Sequence, residues 1–576
     1  MYDYGMSKNL FTLAALAIVC AQMLSACGGG STSSTSTTTS PTPISAGPKI
    51  SADRLLLPQL GDSLNEKDCG YQYTLTSNIP LTGTDPLLSS QWYINNTGNN
   101  TGPITGIPGQ DLQVFGAWAS NKGEGIRVAI VDDAIEITHP DLAPNAIVAA
   151  SLNYRSQSPY ANYPLPCFDG TYAGNFISEK DDHGTAVAGI IASRDSNGIG
   201  ISGVAPRVGL AAFNALTSGT DADISDALNR DLLNNSILHN SWGSQDDGLL
   251  HTADSLFVAA INNGISNGRA GKGSIFVFPA GNGGCYSTNN DGSCRYEENS
   301  NFDGYVNKLG QITVCSVGPT GVSPVYAEPG ANILVCAPAS RITTLAVQGQ
   351  YRSDFSGTSA SAPMVSGVTA LMLSANPNLT WRDVKRILAL TARRNDTNNA
   401  GWTTYKGLNF NQYYGFGVAD ATKAVAMAKT FTSVGNSSTM KTCGPYNRTP
   451  NRTLPDMVGT TVSEQTDSVT VGADCTISEI EFIEVTFTAD HQYSGDLSIN
   501  LQSPNNLVSN LANKRGCASS GSTLSGDDCR PYNNWQFGSV RHLLEPALGT
   551  WTLKVTDRAP SDTGVWKNWG IKFYGR

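Results

Sequence analysis

The pattern of hydrophobic and polar positions changes twice along this chain of 576 residues. Between residues 85 and 430, short apolar runs alternate with longer stretches of helical period, which predicts a parallel α/β sheet with helices on both faces. Thr380 and Asp383 have the spacing of a helix capping box, with Asp in place of the usual Glu. The strands are predicted at 128–131, 208–213, 237–240, 275–278 and 312–317, and the helices at 184–192, 360–375, 384–391 and 421–429.

The C-terminal part of the chain follows a different period. After a Ser/Thr/Asn-rich link at 431–445, the segments 479–487, 496–501 and 551–555 alternate apolar and polar residues. A period of two predicts half-buried antiparallel strands, and no stretch of helical period interrupts them. Residues 446–576 are therefore predicted to form a second domain that is all β.

The first 84 residues have the character of export and tethering segments. Lys8, an apolar run at 10–19 and the sequence Leu24-Ser25-Ala26-Cys27 predict a signal peptide over 1–26, since a membrane-spanning helix needs about 20 uninterrupted apolar residues. Residues 27–48 are almost wholly Gly, Ser, Thr and Pro, a composition that predicts a disordered tether. Residues 49–84 form an N-terminal extension in front of the α/β domain.

Leu24-Ser25-Ala26-Cys27 is similar to the lipoprotein box of bacteria, in which the cysteine is lipidated and becomes the mature N-terminus. This similarity implies that a lipid on Cys27 is the chain's means of membrane attachment. The alternative is ordinary secretion with cleavage near Ala26. The expected location is therefore the bacterial cell envelope, facing the periplasm or the exterior, or the surrounding medium.

Net charge and cysteine content narrow the range of possible partners, compartments and metals. A net charge of -10 argues against a nucleic-acid partner and is compatible with basic substrates. Of the 12 cysteines, ten remain beyond Cys20 and Cys27, an even number that suits disulfides in an oxidising compartment. Those ten have no C-x-x-C spacing, so zinc is not expected. The candidate pairs are Cys285 with Cys294, Cys517 with Cys529 and Cys315 with Cys336.

The stretch from Ser356 to Pro363 has the features of a nucleophile turn. A serine hydroxyl reacts only when a turn exposes it, a base activates it and donors receive the developing negative charge. Gly357 permits the turn, Thr358 can cap the next helix, and Ser359 would open that helix with its positive N-terminus towards an oxyanion. Pro363 fits the first helical turn. The alternative is a plain loop that enters a helix.

An acid and a base precede this serine in the chain. Asp132 ends the predicted strand at 128–131, and His183 opens the small-residue helix predicted at 184–192. Together with Ser359 they stand in the order Asp, His, Ser, which is the order of subtilisin among the known triads.

At these residues the chain resembles the subtilisin-like serine proteases, and most closely the kexin and furin branch of proprotein convertases with its bacterial relatives. The paired acids Asp132-Asp133, the segment that begins at Asn240 and the loop around Asn282 match motifs of that branch in the family's order. The resemblance implies a subtilisin-like fold for residues 85–430 and a P domain, a β-sandwich of jelly-roll type, for residues 446–576. Further matching segments are 301–305, 378–383, 495–497, 503–504, 549–551 and 569–575.

The resemblance also implies a serine endopeptidase mechanism. Asp132 would orient His183, whose other ring nitrogen takes the Ser359 proton and later delivers it to the leaving amine. Asn282 and the Ser359 backbone N–H would donate to the oxyanion. In isolation, Asn282 between two glycines would fit an ordinary turn equally well.

Cleavage after Arg or Lys is implied by the acids that match the substrate cleft, because a buried cation needs a fixed negative partner. Asp133 matches the site that reads a second basic residue. Lys180 and Gln245 stand where convertases usually carry acids, so only a weaker preference is expected at that second position. The residues that match the cleft and its primary pocket are Ser241, Trp242, Gly243, Asp246 and Asp303.

Calcium is the cofactor that the resemblance implies, and hard carboxylate and amide oxygens suit it. One site would tie the start of the α/β domain to a surface loop, and a second would lie beneath the specificity pocket. Scattered surface aspartates are, alternatively, merely solvated. The matching ligands are Asp85, Asp141 and Asn197 for the first site, and Asp246, Asp291 and Glu328 for the second.

The N-terminal extension departs from the family pattern. Subtilisin-like proteases usually carry a long folding propeptide, and residues 49–84 are too few for one, so a separate folding chaperone is an expected partner beside peptide substrates. Two alternatives to a convertase-like enzyme remain open. One is a degradative protease of broad specificity, and the other is an inert surface-binding protein whose β domain is the functional part.

Overall fold

The computed structural model describes residues 83–100, 103–155, 161–166, 181–288, 294–517, 529 and 531–576. The predicted signal peptide, the tether and nearly all of the N-terminal extension lie outside these residues, as do Cys27, Lys180 and Asp291. The described residues form an α/β domain followed by a domain at 441–576, here called the β domain. Among their helices, none is both long and apolar enough to cross a membrane.

The α/β domain is built on a sheet of six parallel strands. The strands of the whole domain, in chain order, are β1 (Arg127–Val131), β2 (Gly209–Phe213), β3 (Asn235–Asn240), β4 (Ile275–Pro279), β5 (Cys285–Thr288), β6 (Cys294–Glu297), β7 (Gln311–Val317), β8 (Ile333–Pro338), β9 (Ile342–Ala346), β10 (Gln350–Phe355), β11 (Thr403–Tyr405) and β12 (Leu408–Phe410). The parallel sheet has the order β2-β1-β3-β4-β7-β8. All five predicted strands are confirmed, and β8 is an additional buried strand.

The helices of this domain lie around the sheet. They are α1 (Val114–Trp118), α2 (His183–Ala192), α3 (Asp221–Asn229), α4 (Ser255–Gly271), α5 (Thr358–Ala375), α6 (Trp381–Thr391) and α7 (Ala421–Ala428). The four predicted helices are confirmed within three residues at each end, and Thr380 and Asp383 form the predicted capping box. Helices α1, α3 and α4 were not predicted, although the side chains of Thr220 and Asp254 cap α3 and α4.

Helix α5 packs against the sheet and is almost entirely buried. Its N-cap is Gly357 at φ +98°, with no capping side chain, so the expectation that Thr358 caps the helix is wrong. Pro363 is the sixth helical residue and not part of the first turn. Because proline has no N–H, the carbonyl of Ser359 loses its usual helical donor, and the Ser241 hydroxyl donates to it at 3.1 Å.

The β domain confirms the predicted antiparallel sandwich. Its strands are β13 (Lys441–Arg448), β14 (Arg452–Leu454), β15 (Gln465–Val471), β16 (Ile480–His491), β17 (Leu497–Gln502), β18 (Val508–Ala512), β19 (Tyr532–Ser539), β20 (Gly549–Asp557) and β21 (Gly564–Gly575). One sheet has the order β13-β21-β16-β19, with β14 beside β21, and the other has the order β15-β20-β17-β18. Strand β13 begins at Lys441, inside the segment predicted as a link.

The two domains share buried surface. Phe482 and Tyr574 of the β domain belong to the core of the α/β domain, and Phe302 of the α/β domain belongs to the core of the sandwich. The fully buried Arg382 of α6 donates to both carboxylate oxygens of Glu481, at 2.7 and 2.5 Å. The domains therefore pack as one body around a desolvated ion pair.

Disulfides occur in both domains. The predicted bonds Cys315–Cys336 and Cys517–Cys529 are confirmed, and Cys443–Cys475 is a bond that was not predicted. Cys285 is disulfide-bonded, while the side chain of its predicted partner, Cys294, lies outside the described part of the structure.

Candidate active site

The carboxyl end of β1 and the start of α2 place a carboxylate beside an imidazole. Asp132 follows β1 directly and is 1% exposed, and His183 is the first residue of α2. His183 Nδ1 lies 2.9 Å from Asp132 Oδ1. Burial lowers the pKa of His183, but the charges of Asp132 and Asp133 outweigh this effect, so the net shift of the pKa is upward. This geometry suits an imidazole base that a carboxylate orients.

Asp133 supports the position of His183 through the backbone at the start of α2. Its carboxylate accepts the backbone N–H groups of His183 at 3.2 Å and Gly184 at 2.8 Å, the first two of α2. Burial, and then the charge of Asp132, raise the pKa of Asp133 to about 8. Because Asp133 is 1% exposed, its first role is to fix the start of α2 and with it His183.

Two serines on different elements exchange hydrogen bonds in the centre of the domain. The Ser359 hydroxyl donates to the Ser241 carbonyl at 3.1 Å, and the Ser241 hydroxyl donates to the Ser359 carbonyl at the same distance. Ser241 Oγ also lies 2.8 Å from Nε2 of the buried His239, whose pKa burial lowers to about 3. A neutral His239 therefore holds Ser241, and Ser241 holds the first turn of α5. The pattern of the sequence did not predict this support.

The loop after β4 places Asn282 against the start of α5. Its side-chain oxygen accepts the Thr358 backbone N–H at 2.8 Å and the Thr358 hydroxyl at 3.0 Å. With Oδ1 engaged, Nδ2 is the end of the amide that can donate to a ligand. Gly357 must remain glycine here, because an added Cβ would meet Asn282 Oδ1 at 3.3 Å while φ is +98°.

The segment Ser241-Trp242-Gly243, directly after β3, lies over a half-buried acid. A Cβ added to Gly243 would be 2.5 Å from Asp303 Oδ2, so only glycine allows this approach. Asp303 accepts the N–H groups of Ser244 at 2.8 Å and Tyr305 at 2.7 Å, and burial raises its pKa. The carboxylate of Asp303 is therefore held in place beneath the segment by backbone donors.

A cluster of three acids lies beside this position. Asp246, Glu298 and Glu328 each bring one carboxylate oxygen within 4.8 Å of the others. Backbone N–H groups hold two of them: Gly248 donates to Glu298 Oε1 at 3.1 Å, and Gly283 donates to Glu328 Oε1 at 3.0 Å. Glu298 Oε2 is buried with no hydrogen-bond partner among the described residues. Burial is the largest of the effects that raise the pKa of each of the three groups, and the pKa of Asp246 rises to about 6.

Two buried carboxylates and the half-buried Asp246, with one unpartnered oxygen among them, form a donor set that fits a hard divalent cation. Of the predicted ligands, Asp246 and Glu328 are part of the cluster, and Asp291 lies outside the described residues. Glu298 was not predicted. The signal that could have identified it is its position five residues before Asp303, on the segment that leads to the pocket.

The residues of the other predicted calcium site also meet. Asp85 accepts the backbone N–H groups of Ser196 at 3.0 Å and Asn197 at 3.2 Å. Asn197 Nδ2 donates to Asp141 Oδ1 at 2.7 Å, and burial raises the pKa of Asp141 to about 8. Two carboxylates and an amide thus lie around the loop at 196–201, and they tie the start of the α/β domain to it.

Comparison with known proteins identifies the families of the two domains. The profile of the Subtilase family matches residues 123–417, and that of the Proprotein convertase P-domain matches residues 480–573. The Dibasic-processing endoprotease of Schizosaccharomyces pombe is 34% identical over 508 residues, which cover 85% of this chain and 65% of the relative. Human Neuroendocrine convertase 2 is 31% identical over 533 residues, which cover 89% of this chain and 77% of that protein. The chain thus spans just under two thirds of the yeast relative.

Solved structures agree on the fold. The serine protease of Aeromonas sobria, in its complex with the chaperone ORF2, has a TM-score of 0.73 at 23% identity, and the match covers 87% of this chain and 96% of that chain. The same bacterial protease solved alone has a TM-score of 0.72. Together with the matched profiles and relatives, these likenesses show that the chain belongs to the subtilase family, as a member of the kexin and convertase type with a C-terminal P domain.

Proposed function

We propose that the protein is a serine endopeptidase that cleaves after basic residues. The observation that carries the proposal is the contact of His183 Nδ1 with Asp132 Oδ1 at 2.9 Å, in a domain where Ser359 opens a buried helix beside Asn282. Since Nδ1 is engaged by Asp132, Nε2 is the nitrogen that takes a proton from the nucleophile. Asp132, His183 and Ser359 are thus the catalytic triad of this proposal.

The reaction proceeds by acyl transfer. Ser359 Oγ donates to the Ser241 carbonyl in the free enzyme, and activation requires it to donate to His183 Nε2 instead. Oγ then attacks the substrate carbonyl carbon, and the proton passes to His183. The imidazolium returns that proton to the leaving amine as the C–N bond breaks. Water enters next, gives a proton to His183 and hydrolyses the acyl-enzyme, which restores Ser359.

The negative charge on the tetrahedral oxygen is received by two donors. Asn282 supplies Nδ2, because its oxygen is already bound to Thr358, and Ser359 supplies its backbone N–H at the positive end of α5. Both donors are fixed before substrate arrives, so little reorganisation accompanies the reaction. Donors of this kind lower the barrier by about 3–4 kcal/mol each.

Specificity for Arg or Lys before the cleaved bond is supported by the acids beneath Ser241-Trp242-Gly243. Asp303 lies in contact distance of Gly243, and Asp246 lies in the adjoining acid cluster. A cationic side chain in this pocket would meet fixed negative charge. That charge strengthens the binding of a basic side chain and gives no such gain to an apolar one. The yeast relative is named for dibasic processing, which agrees. For a second basic residue, Asp133 is the candidate, although its oxygens already bind the start of α2.

Calcium is proposed as a structural cofactor. Asp246, Glu298 and Glu328 would hold one ion beneath the pocket, and Asp85, Asp141 and Asn197 would hold another at the start of the α/β domain. A divalent cation supplies the positive charge that lets buried carboxylates stay ionised. The chemistry of peptide cleavage itself stays with the triad.

Location and maturation follow from the sequence. We propose that the protein is exported and anchored by a lipid on Cys27, with secretion as the alternative. A separate chaperone is proposed as a folding partner, because residues 49–84 are few for a propeptide. The structure of the Aeromonas sobria protease with a chaperone gives this proposal a precedent in a protein of the same fold.

Cleavage-site profiling with a peptide library tests the specificity, and Asp303→Asn tests its cause. This variant should lose about 100-fold or more in kcat/KM for Arg substrates, because a buried ion pair is broken, and much less for Leu substrates. Asp226→Asn, at an exposed surface acid, is the control and should change neither value. A wild-type enzyme that prefers Leu or Phe would contradict the pocket assignment and leave the triad untouched.

A further inference from the structure

The pocket acids are carried by two segments that the β domain holds directly. One is 246–248, which follows the substrate-cleft segment, and the other is 297–303, which ends at Asp303. A buried arginine of the β domain, Arg515, touches both segments. Arg515 is fully buried, so each of its contacts is made without competition from water.

The contact with the first segment is a short hydrogen bond. Arg515 Nε donates to the Gly248 carbonyl at 2.6 Å, and the Gly248 N–H on the same residue donates to Glu298 Oε1 at 3.1 Å. Gly248 has φ +75°, and a Cβ there would lie 2.0 Å from the Gly516 carbonyl, so the backbones of these two segments are in direct contact. Gly248 therefore links Arg515 to the acid cluster through a single residue.

The contact with the second segment is through an aromatic ring. The Arg515 guanidinium lies 4.0 Å from the centre of the Phe302 ring, and Phe302 precedes Asp303 in the chain. Arg515 Nη1 also donates to the Tyr532 hydroxyl at 2.6 Å, which locks the guanidinium plane against β19. A planar cation with five donors can make these contacts at once, whereas a lysine ammonium cannot.

Neighbouring side chains of the β domain hold the rest of the second segment. Asn299 Nδ2 donates to Asn513 Oδ1 at 2.8 Å, and the Trp535 ring N–H donates to the Asn301 carbonyl at 3.1 Å. The Gly538 N–H donates to Asn301 Oδ1 at 2.7 Å. The residues between Glu298 and Asp303 are thus fixed by the β domain and not only by the sheet that carries the triad.

We infer that Arg515 is a positioning residue for the specificity pocket: it holds Gly248 and Phe302 so that Asp246, Glu298 and Asp303 keep the spacing that binds a divalent cation and a basic side chain. This inference rests on the proposed specificity and calcium site. It assigns to the β domain a role in substrate selection, carried by one residue that does not touch the substrate.

The positive charge of Arg515 acts in the same direction. It lies close enough to Glu298 to offset part of the repulsion that Asp246 and Asp247 exert on that carboxylate. Loss of Arg515 would therefore both release Gly248 and increase repulsion inside the acid cluster. Both effects weaken the pocket, while Asp132 after β1, His183 on α2 and Ser359 on α5 keep their own supports.

The test compares Arg515→Gln with Arg382→Gln in the full chain. Both arginines are buried in the domain interface, but Arg382 binds Glu481 and contacts no acid of the pocket. For Arg515→Gln we expect KM for Arg substrates to rise about tenfold, because a charge-assisted hydrogen bond to the acid-bearing segment is lost. The calcium concentration at half-maximal activity should rise as well, and kcat for Leu substrates should stay within about twofold. Arg382→Gln should lower the melting temperature without either change.

Two further variants keep the test decisive if Arg515→Gln does not fold. Arg515→Lys keeps the charge and loses the fork, and Tyr532→Phe keeps the ring and loses one acceptor of the guanidinium. Each should raise the same KM, by a smaller factor than Arg515→Gln. The inference is overturned if folded variants at Arg515 keep the wild-type KM and calcium requirement, or if Arg382→Gln changes selectivity equally. A wild-type enzyme without basic preference would instead overturn the proposed function, so the two failures are distinguishable.

Discussion

The Asn282 side-chain oxygen accepts the backbone N–H of Thr358 at 2.8 Å, and this bond sets the direction of the whole amide. A loop at the end of β4 is thereby joined to the residue that precedes the nucleophile. The proposed oxyanion donor and the proposed nucleophile thus belong to one rigid unit, and the loss of either should affect catalysis more than folding.

Asn282→Asp is predicted to lower kcat by about 100- to 1,000-fold, because it removes the donor nitrogen and keeps the acceptor oxygen that binds Thr358. KM should change little, and the melting temperature should stay close to the wild-type value. The measurements are steady-state kinetics with a fluorogenic Arg substrate and thermal unfolding by circular dichroism. If kcat is retained, Asn282 is a turn residue and not an oxyanion donor.

Ser359→Ala is predicted to abolish hydrolysis, with a loss in kcat of about a millionfold. Its effect on the free energy of unfolding should be small, about 1 kcal/mol, since one hydrogen bond to the Ser241 carbonyl is removed. Turnover and labelling by a serine-directed fluorophosphonate are the two readouts. Ser361→Ala, two residues further along α5, is the matched control and should still be labelled. Labelling of the Ser359→Ala protein would disprove the assignment.

The pH dependence of kcat/KM is predicted to follow His183. The base must be neutral to accept the Ser359 proton, and the net shift of the pKa of His183 is upward from 6.5, so activity should be half-maximal above pH 6.5 and fall below it. Asp132→Asn removes the negative charge that does most to raise this pKa and should move the acidic limb of the residual activity to lower pH. Identical limbs in the two enzymes would show that Asp132 does not set the pKa of His183.

Removal of calcium is predicted to lower both activity and the melting temperature. At free calcium of about 100 to 1,000 times Kd, binding stabilises the fold by about 3–4 kcal/mol, and excess chelator removes this. Glu298→Gln should be less stable than wild type in calcium and more stable than wild type in chelator, because the unoccupied cluster repels itself. Scanning fluorimetry in both conditions measures this crossing. Equal melting curves with and without chelator would remove the cation sites.

The domain interface is predicted to weaken in acid through Glu479. Its hydrogen bond with Arg576, and then that with Arg386 of α6, lower the pKa of Glu479 from 4.5 to about 2. A depressed carboxyl pKa contributes stability above the unfolded value, and this contribution is lost as the pH falls from 4.5 towards 2. With allowance for solvent screening, its size is about 1–2 kcal/mol.

Glu479→Gln should remove that part of the pH dependence, as measured by urea unfolding at pH 6 and pH 3 in each protein. Glu464→Gln, which alters the exposed pair with Lys554, is the control and should match wild type. A Glu479→Gln protein that loses stability in acid as steeply as wild type would show that the ion pair makes no net contribution.

The local period of apolar residues was sufficient to predict most of the secondary structure. Five of the six strands of the parallel sheet, the helices α2, α5, α6 and α7 and the change to a period of two are properties of short windows, and they were predicted from the sequence. The order of Asp132, His183 and Ser359 could also be recognised there, because each lies at the junction of a periodic run and a turn. Helix α3 was missed because its residues are mostly polar and it is recognisable chiefly by its cap at Thr220.

The tertiary structure decided the contacts between residues that are far apart in the sequence. Glu298 joins Asp246 and Glu328 only because the loop between β7 and β8, the loop before Asp303 and the segment after β3 converge, and their separation in sequence hides this. Pro363 could be placed only once the start of α5 was known. The contact of Arg515 with Gly248 spans 267 residues, so it depends on how the two domains pack and not on any local pattern. The sequence by itself therefore indicated the elements and the candidate reactive groups, and the convergence of distant loops decided which acids come together.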